Sequence, residues 1–198
     1  MGDPRNLHKV YSKPSHPFEK DRILEELEYV GRYGLRNKEE FWKHRSQLGK
    51  YRKLARYAKT IPEDQEKLLT QQIVGKLNRW GILPDGSTLD DILKLSVEKF
   101  LNRRIQTLVF KKGLAKTVYQ ARQLVVHGHI AIDGQKMSSP SYLVKAAEED
   151  KLEYYYKSPF VENKDKLFQE KKSKKSSKKK SRKKSRKGRD QQRRRRRS

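Results

Sequence analysis

Lys116, Gln120, Gln123 and His127 recur at intervals of four, three and four residues, which at about 100 degrees per residue places them on one narrow helical stripe. Each of these side chains can donate a hydrogen bond, and none is an acid. Cations mixed with amides and imidazoles suit a partner that offers phosphates and sugar hydroxyls more than readable base edges, as structured RNA does. A solvated helix face has the same composition, so the stripe alone leaves both readings open.

Other chemistry-bearing residues point less far. His127 and His129 flank Gly128, but helical metal ligands are better placed at i and i+4, and the chain has no cysteine, so no metal is expected. Lys136-Met137-Ser138-Ser139 and His127-Gly128-His129-Ile130 mimic the two signatures of class I aminoacyl-tRNA synthetases, yet here they almost adjoin instead of spanning a nucleotide-binding α/β domain. Asp90, Asp91 and Glu98 lack a partner arranged for acid–base or metal work and are expected as helix caps. Trp42, Trp80 and Tyr154 to Tyr156 could stack on bases, but at helical or strand spacing they are expected in the core. No catalytic residue, metal or cofactor is expected, and the chain is not read as an enzyme.

The charge supports a polyanion partner. Of 198 residues, 50 are Lys or Arg against 24 Asp or Glu, a net charge of +26, far from the near-neutral balance of most soluble enzymes. Residues 171 to 198 hold 18 Lys and Arg with one acid, a charge of +17, and end in five arginines at 193 to 197. The first 170 residues keep 32 basic and 23 acidic groups, or +9. With no apolar run near the roughly 18 residues of a membrane helix, and no apolar core behind Met1 that would mark a signal peptide, a cytoplasmic location and no membrane are expected.

Elements must hold the stripe in place. Residues 1–19, with Pro4, Pro14 and Pro17, read as an extended arm, and 20–100 as a helical region. Its first helix starts near Lys20 and is broken by Gly31 and Gly34. Asn37 and Glu40 form a capping-box signature for a second, on which Arg45, Arg52, Lys53 and Arg56 make a dense basic face. Pro62 suits the first turn of a third, which Gly81 stops. Ser96 is expected to cap one long helix reaching about Lys112. Gly113 ends that helix, and Thr117 caps the next, up to Gly128. Ile130 and Ile132 alternate before Asp133-Gly134, a strong hairpin signal, and Lys151 to Tyr156 supplies a further strand. The fold class is α+β. From 159 to 198 an extended Lys/Arg-rich tail, unable to bury apolar area, is expected to be disordered.

The stretch 101–158 resembles the S-four RNA-binding domain through Arg104-Ile105-Gln106-Thr107, Lys112-Gly113-Leu114-Ala115, Gln120-Ala121-Arg122-Gln123-Leu124-Val125, Gly128-His129-Ile130, Asp133-Gly134 and Pro140-Ser141-Tyr142. Singly these are weak; in this order over 40 residues they are specific. Residues 1 to about 165 as a whole resemble the small-subunit ribosomal protein four family, and Met1-Gly2-Asp3-Pro4, His16-Pro17-Phe18 and Ser158-Pro159-Phe160 are similar to its archaeal members. Gln106, where many such domains carry Asp, and the missing zinc-binding cysteines depart from the pattern.

The resemblance implies a structural constituent of the small ribosomal subunit that binds its ribosomal RNA early in assembly, organises a helix junction and supports translation. It further implies neighbouring ribosomal proteins, a place near where mRNA enters, and no homo-oligomer. The RNA face it implies takes in Arg103, Arg104, Gln106, Thr107, Lys111 and Lys112, then Lys116, Thr117, Gln120, Arg122, Gln123, His127 and His129, and finally Lys136, Ser141 and Tyr142. Arg104 falls inside the apolar arc of Val97, Leu101, Ile105 and Leu108, so a buried ion pair and an RNA contact both stay open for it; Arg103, outside that arc, is the better phosphate candidate. Two rivals are an RNA-modifying enzyme carrying this domain as an accessory and a free RNA chaperone. The first would need a catalytic domain that residues 20–100 do not suggest.

Overall fold

The computed structural model describes residues 9–161, and contacts divide the chain after Tyr155, so the unit ending there is described by itself. Its order is α1 (Lys20–Tyr33), α2 (Lys38–Ala58), α3 (Glu63–Arg79), α4 (Leu89–Lys94), α5 (Val97–Asn102), α6 (Ile105–Lys111), α7 (Val118–Val126), β1 (Ile130–Ile132), β2 (Gln135–Met137), α8 (Ala146–Glu149) and β3 (Leu152–Tyr154). This is the α+β arrangement expected.

The starts of α2, α4 and α7 follow the side chains that cap them. Asn37 accepts from the Glu40 amide at 3.2 Å, Thr117 from the Gln120 amide at 3.1 Å, and Asp91 accepts from the Thr88 amide at 2.9 Å in a capping box. Glu40 does not complete the expected box; its carboxylate is committed elsewhere. Asp90 and Glu98 are not caps either but ion partners, of Lys59 at 2.5 Å and Arg32 at 3.2 Å. Pro62 stands just outside α3, giving its carbonyl to the Gln65 and Glu66 amides, and Gly31 lies within α1, which ends at left-handed Gly34.

The long helix expected from Ser96 to Lys112 is two. Between α5 and α6 the backbone of Arg104 turns extended (φ −67, ψ 139) and bridges Leu143, while the Val144 amide donates to Arg103 O at 3.0 Å and the Ile105 amide to Tyr142 O at 2.9 Å. The apolar period runs unbroken through this point, so only the strand-like partner, Leu143, makes the break visible.

The core is largely aliphatic. Leu48, Tyr51, Ala55, Ile73, Leu77, Ile92 and Phe100 join α2 to α5, with Trp80 packed beside them and its ring 6.2 Å from that of Tyr51, edge-on. Tyr33, Leu35, Phe41 and Leu101 form a second cluster. Beyond it α6 packs on α7, and β1 is the central strand of an antiparallel sheet ordered β2-β1-β3, with Ile130 opposite Met137 and Tyr154. Asp133 and Gly134, at φ 53 and 77, make the tight turn their sequence promised. Residues 9–16 of the arm run against α2: the Ser12 amide donates to Ser46 Oγ at 3.2 Å, and the Tyr11 and Trp42 rings lie 6.0 Å apart. Residues 1–8 of the arm and the expected tail beyond residue 161 lie outside the described residues.

Candidate nucleic-acid interface

A cluster of inward-facing charged groups ties α2 to the start of α6 and to α7. Arg104 is 1% exposed. Its Nη2 donates to Glu40 Oε2 at 2.7 Å and its Nη1 to His44 Nε2 at 2.9 Å. Arg122 reaches the same carboxylate from α7, Nη2 to Glu40 Oε1 at 2.6 Å and Nη1 to Oε2 at 3.2 Å, and gives a further bond to Gln106 Oε1 at 3.2 Å. Gln106 Nε2 in turn faces the carbonyls of Gly34 at 2.9 Å, Tyr33 at 3.2 Å and Val118 at 3.2 Å. One carboxylate thus binds two guanidiniums from different elements, and these charge-assisted bonds offset part of the cost of taking the charges out of water, while Arg104 Nε and His44 Nδ1 are buried without a hydrogen-bond partner.

Protonation follows from that packing. Burial pushes Glu40 up, but the Arg122 bond and the Arg104 charge outweigh it and hold the carboxyl below its usual value. Burial, helped by the Arg104 charge, drives His44 down to about 4, so its imidazole is neutral and can accept from Arg104.

Several residues expected at the RNA face are therefore interior. Arg104 resolves to the buried ion pair; Gln106 and Thr107 are buried, with Thr107 Oγ1 donating to Leu101 O at 2.8 Å; Arg122 belongs to the Glu40 clamp. Arg103, the better phosphate candidate by its position on the helix, is paired with Glu149 at 2.5 Å and donates to Val144 O at 3.2 Å. Arg52 Nη2 donates to Leu95 O at 2.5 Å, and the half-buried Tyr142 hydroxyl to Glu148 Oε2 at 3.0 Å. Sequence spacing sees only the residue type, and arginine serves an internal carboxylate and a phosphate alike.

The remainder of the set faces out. On α7 and its approaches Lys116, Thr117, Gln123 and His127 are exposed, with Gln120 and His129 half-buried. Gln120 Oε1 accepts from the Lys116 amide at 2.9 Å, tying the stripe to the helix start. Lys111, Lys112, Lys136 and Ser141 are exposed, Lys112 bonding the Glu149 carbonyl, and Arg45, Lys53 and Arg56 stand out from α2. Two further residues escaped sequence reasoning. Tyr119, 58% exposed, lies beside Gln123 on the α7 surface. Exposed Arg36 sits in the loop before α2, which meets α7 so closely that a Cβ on Gly34 would lie 2.9 Å from Val118 Cγ1. A helical wheel could have found Tyr119; Arg36 needs the tertiary approach.

Comparison with other proteins divides the chain between the helical region and the part that carries the donor-rich helix and hairpin. Residues 103–150 match the family described as S4 domain, and residues 5–102 the family described as ribosomal protein S4/S9 N-terminal domain. Small ribosomal subunit protein uS4 of Hyperthermus butylicus is 49% identical over 164 residues, covering 83% of this chain and 93% of that protein. The chain belongs to the uS4 family. The uS4 proteins of Sulfolobus acidocaldarius, at 49% over 82% of this chain and 93% of its own, and of Methanothermobacter thermautotrophicus, at 48% over 80% and 93%, are similar in the same way. The join between the two matched uS4 segments falls at residues 102 and 103, beside the α5–α6 break that Leu143 and Val144 bridge.

Proposed function

We propose that this chain is a structural constituent of the small ribosomal subunit that binds small-subunit ribosomal RNA through the exposed face of α7 and the β1–β2 hairpin. The supporting observation is the division of labour among its hydrogen-bond donors: Arg103, Arg104 and Arg122 are spent on internal partners, whereas Lys116, Gln123, His127 and Lys136 are turned outward on a face with no exposed acid in α7. Duplex and junction RNA is recognised by shape, through phosphates and 2′-hydroxyls, so a rigid surface of long cations and short donors selects a geometry where helices meet. The exposed basic groups of α2 and the Lys/Arg tail add salt-sensitive affinity that does not discriminate between RNAs.

Finer parts of this reading are a primary role in assembling one RNA junction, contacts with neighbouring small-subunit proteins, and a position near the path of incoming mRNA. The regions 20–100 and 101–158 then act as a mount and a reader, within the cytoplasm. Retention tests the residence claim: the protein should stay at one copy per small subunit through a high-salt wash, and its loss under that wash would identify a visiting chaperone instead.

A further inference from the structure

Residues 19–28, at the start of α1, hold five acids against two basic groups, a charge of −3 in a chain of +26. The inward side of the helix is closed: Glu26 and Tyr33 are buried, and Glu26 takes Trp42 Nε1 at 2.9 Å with Arg22 and Lys38 each at 3.5 Å. On the opposite side Leu24, Leu27 and Gly31 follow one another at intervals of three and four residues, and Asp21, Glu25 and Glu28 run beside them in the same way. Leu24 is 54% exposed and Leu27 50%. Gly31 lies within the helix, which glycine weakens, yet a Cβ there would meet nothing within 4 Å, so no internal contact asks for the missing side chain.

Most cations of α1 are committed elsewhere. Arg22 is held by Glu19 at 3.3 Å as well as by Glu26, and Arg32 by Glu98 at 3.2 Å; Lys20 is exposed at the helix start. Among the described residues no ion pair engages Asp21, Glu25 or Glu28. Asp21 and Glu25 also line a cleft of about 400 Å³ together with Glu19, Tyr29 and Phe41, and Arg22 and Arg45 share its wall. The Tyr29 and Phe41 rings stack 5.1 Å apart. Carboxylates beside an aromatic surface suit an ammonium or guanidinium group.

We infer that the outer face of α1 docks a basic segment of another small-subunit protein, whose apolar side chains cover Leu24 and Leu27 while its Lys and Arg meet Asp21, Glu25 and Glu28. This rests on the ribosomal reading above and gives a face to the neighbouring protein that reading includes. RNA is the wrong occupant: a phosphate here would stand against three carboxylates that lack counter-charges, and the leucines offer it no donor. A segment that mixes cations with apolar side chains satisfies both halves of the face at once, and Gly31 lets its backbone come close.

The test compares the free full chain with small subunits purified from the source organism. Carboxylates are labelled with glycine amide and a carbodiimide, amines are joined by a lysine-reactive cross-linker, and the products are read by mass spectrometry. Asp21, Glu25 and Glu28 should label about tenfold more slowly in subunits than in the free chain, and Lys20, on the same face, should cross-link to a lysine of another protein. Leu24→Asn with Leu27→Asn, at exposed positions, should leave urea unfolding unchanged and abolish both effects; Glu25→Lys with Glu28→Lys should do the same. Full labelling in subunits, protection retained in both variants, or protection with cross-links from α1 only to RNA or to lysines of this chain would overturn the inference and leave the ribosomal reading standing. Absence of the chain from washed subunits would overturn that reading, and the inference with it.

Discussion

Glu40 and Arg122 stand 82 positions apart in sequence and 2.6 Å apart in space, and their contact fastens α7 to α2. The same carboxylate also holds Arg104, so one acid ties both the start of α6 and α7 to α2. Replacing Glu40 with Gln leaves two guanidiniums in the interior without a counter-charge. The expected loss of stability is about 3 kcal/mol, as for removal of one partner from a buried ion pair, measured by urea unfolding.

The same cluster predicts an acid-sensitive fold. His44 is neutral in the folded protein, with its pKa lowered to about 4 from an ordinary 6.5. Above the ordinary value neither state binds the proton, and stability is level. As pH falls from there toward 4, the unfolded chain takes up a proton that the folded chain refuses, so stability declines, by about 3 kcal/mol at the lower end. Glu40, whose folded pKa is also lowered, extends the loss to lower pH as its carboxylate is protonated. Urea unfolding at a series of pH values should show the decline, and His44→Gln should flatten its upper part.

How much of this was legible in the sequence depends on the range of the interaction. The caps Asn37 and Thr117, the stop at Gly128 and the Asp133-Gly134 turn are local, each decided within four residues, and they stand where the sequence placed them. The break at Arg104 and the inward destinations of Arg104, Gln106 and Arg122 are set by Leu143, Gly34 and Glu40, tens of positions away. Such pairings leave no periodic trace, and the residue types involved would serve an RNA phosphate equally well.

Gly128 and Gly86 separate backbone strain from the loss of a functional contact. Both have left-handed φ, 70 and 78, but a Cβ at Gly86 meets nothing within 4 Å, whereas at Gly128 it collides with Lys136. Each Ala substitution should cost about 1 kcal/mol from the backbone alone. Only Gly128→Ala should also weaken RNA binding, because Lys136 must move; melting temperature and RNA affinity measured on both variants check this.

Specificity should lie in α7 and not in the tail. Replacing Lys116, Gln120 and Gln123 together with Ala should weaken binding to the cognate junction more than deleting residues 171 to 198, while the tail deletion should mainly reduce the salt dependence of binding. Competition against an unrelated duplex RNA distinguishes the two: the deletion keeps its preference, and the triple variant loses it.

The claim that the exposed face of α7 and the β1–β2 hairpin reads ribosomal RNA is tested most directly by mapping protein–RNA cross-links in assembled small subunits. Cross-linked peptides should concentrate between Lys116 and Lys136 and converge on one RNA helix junction. Cross-links confined to residues 171 to 198, or to the exposed side of α3, with none from α7 or the hairpin, would contradict it.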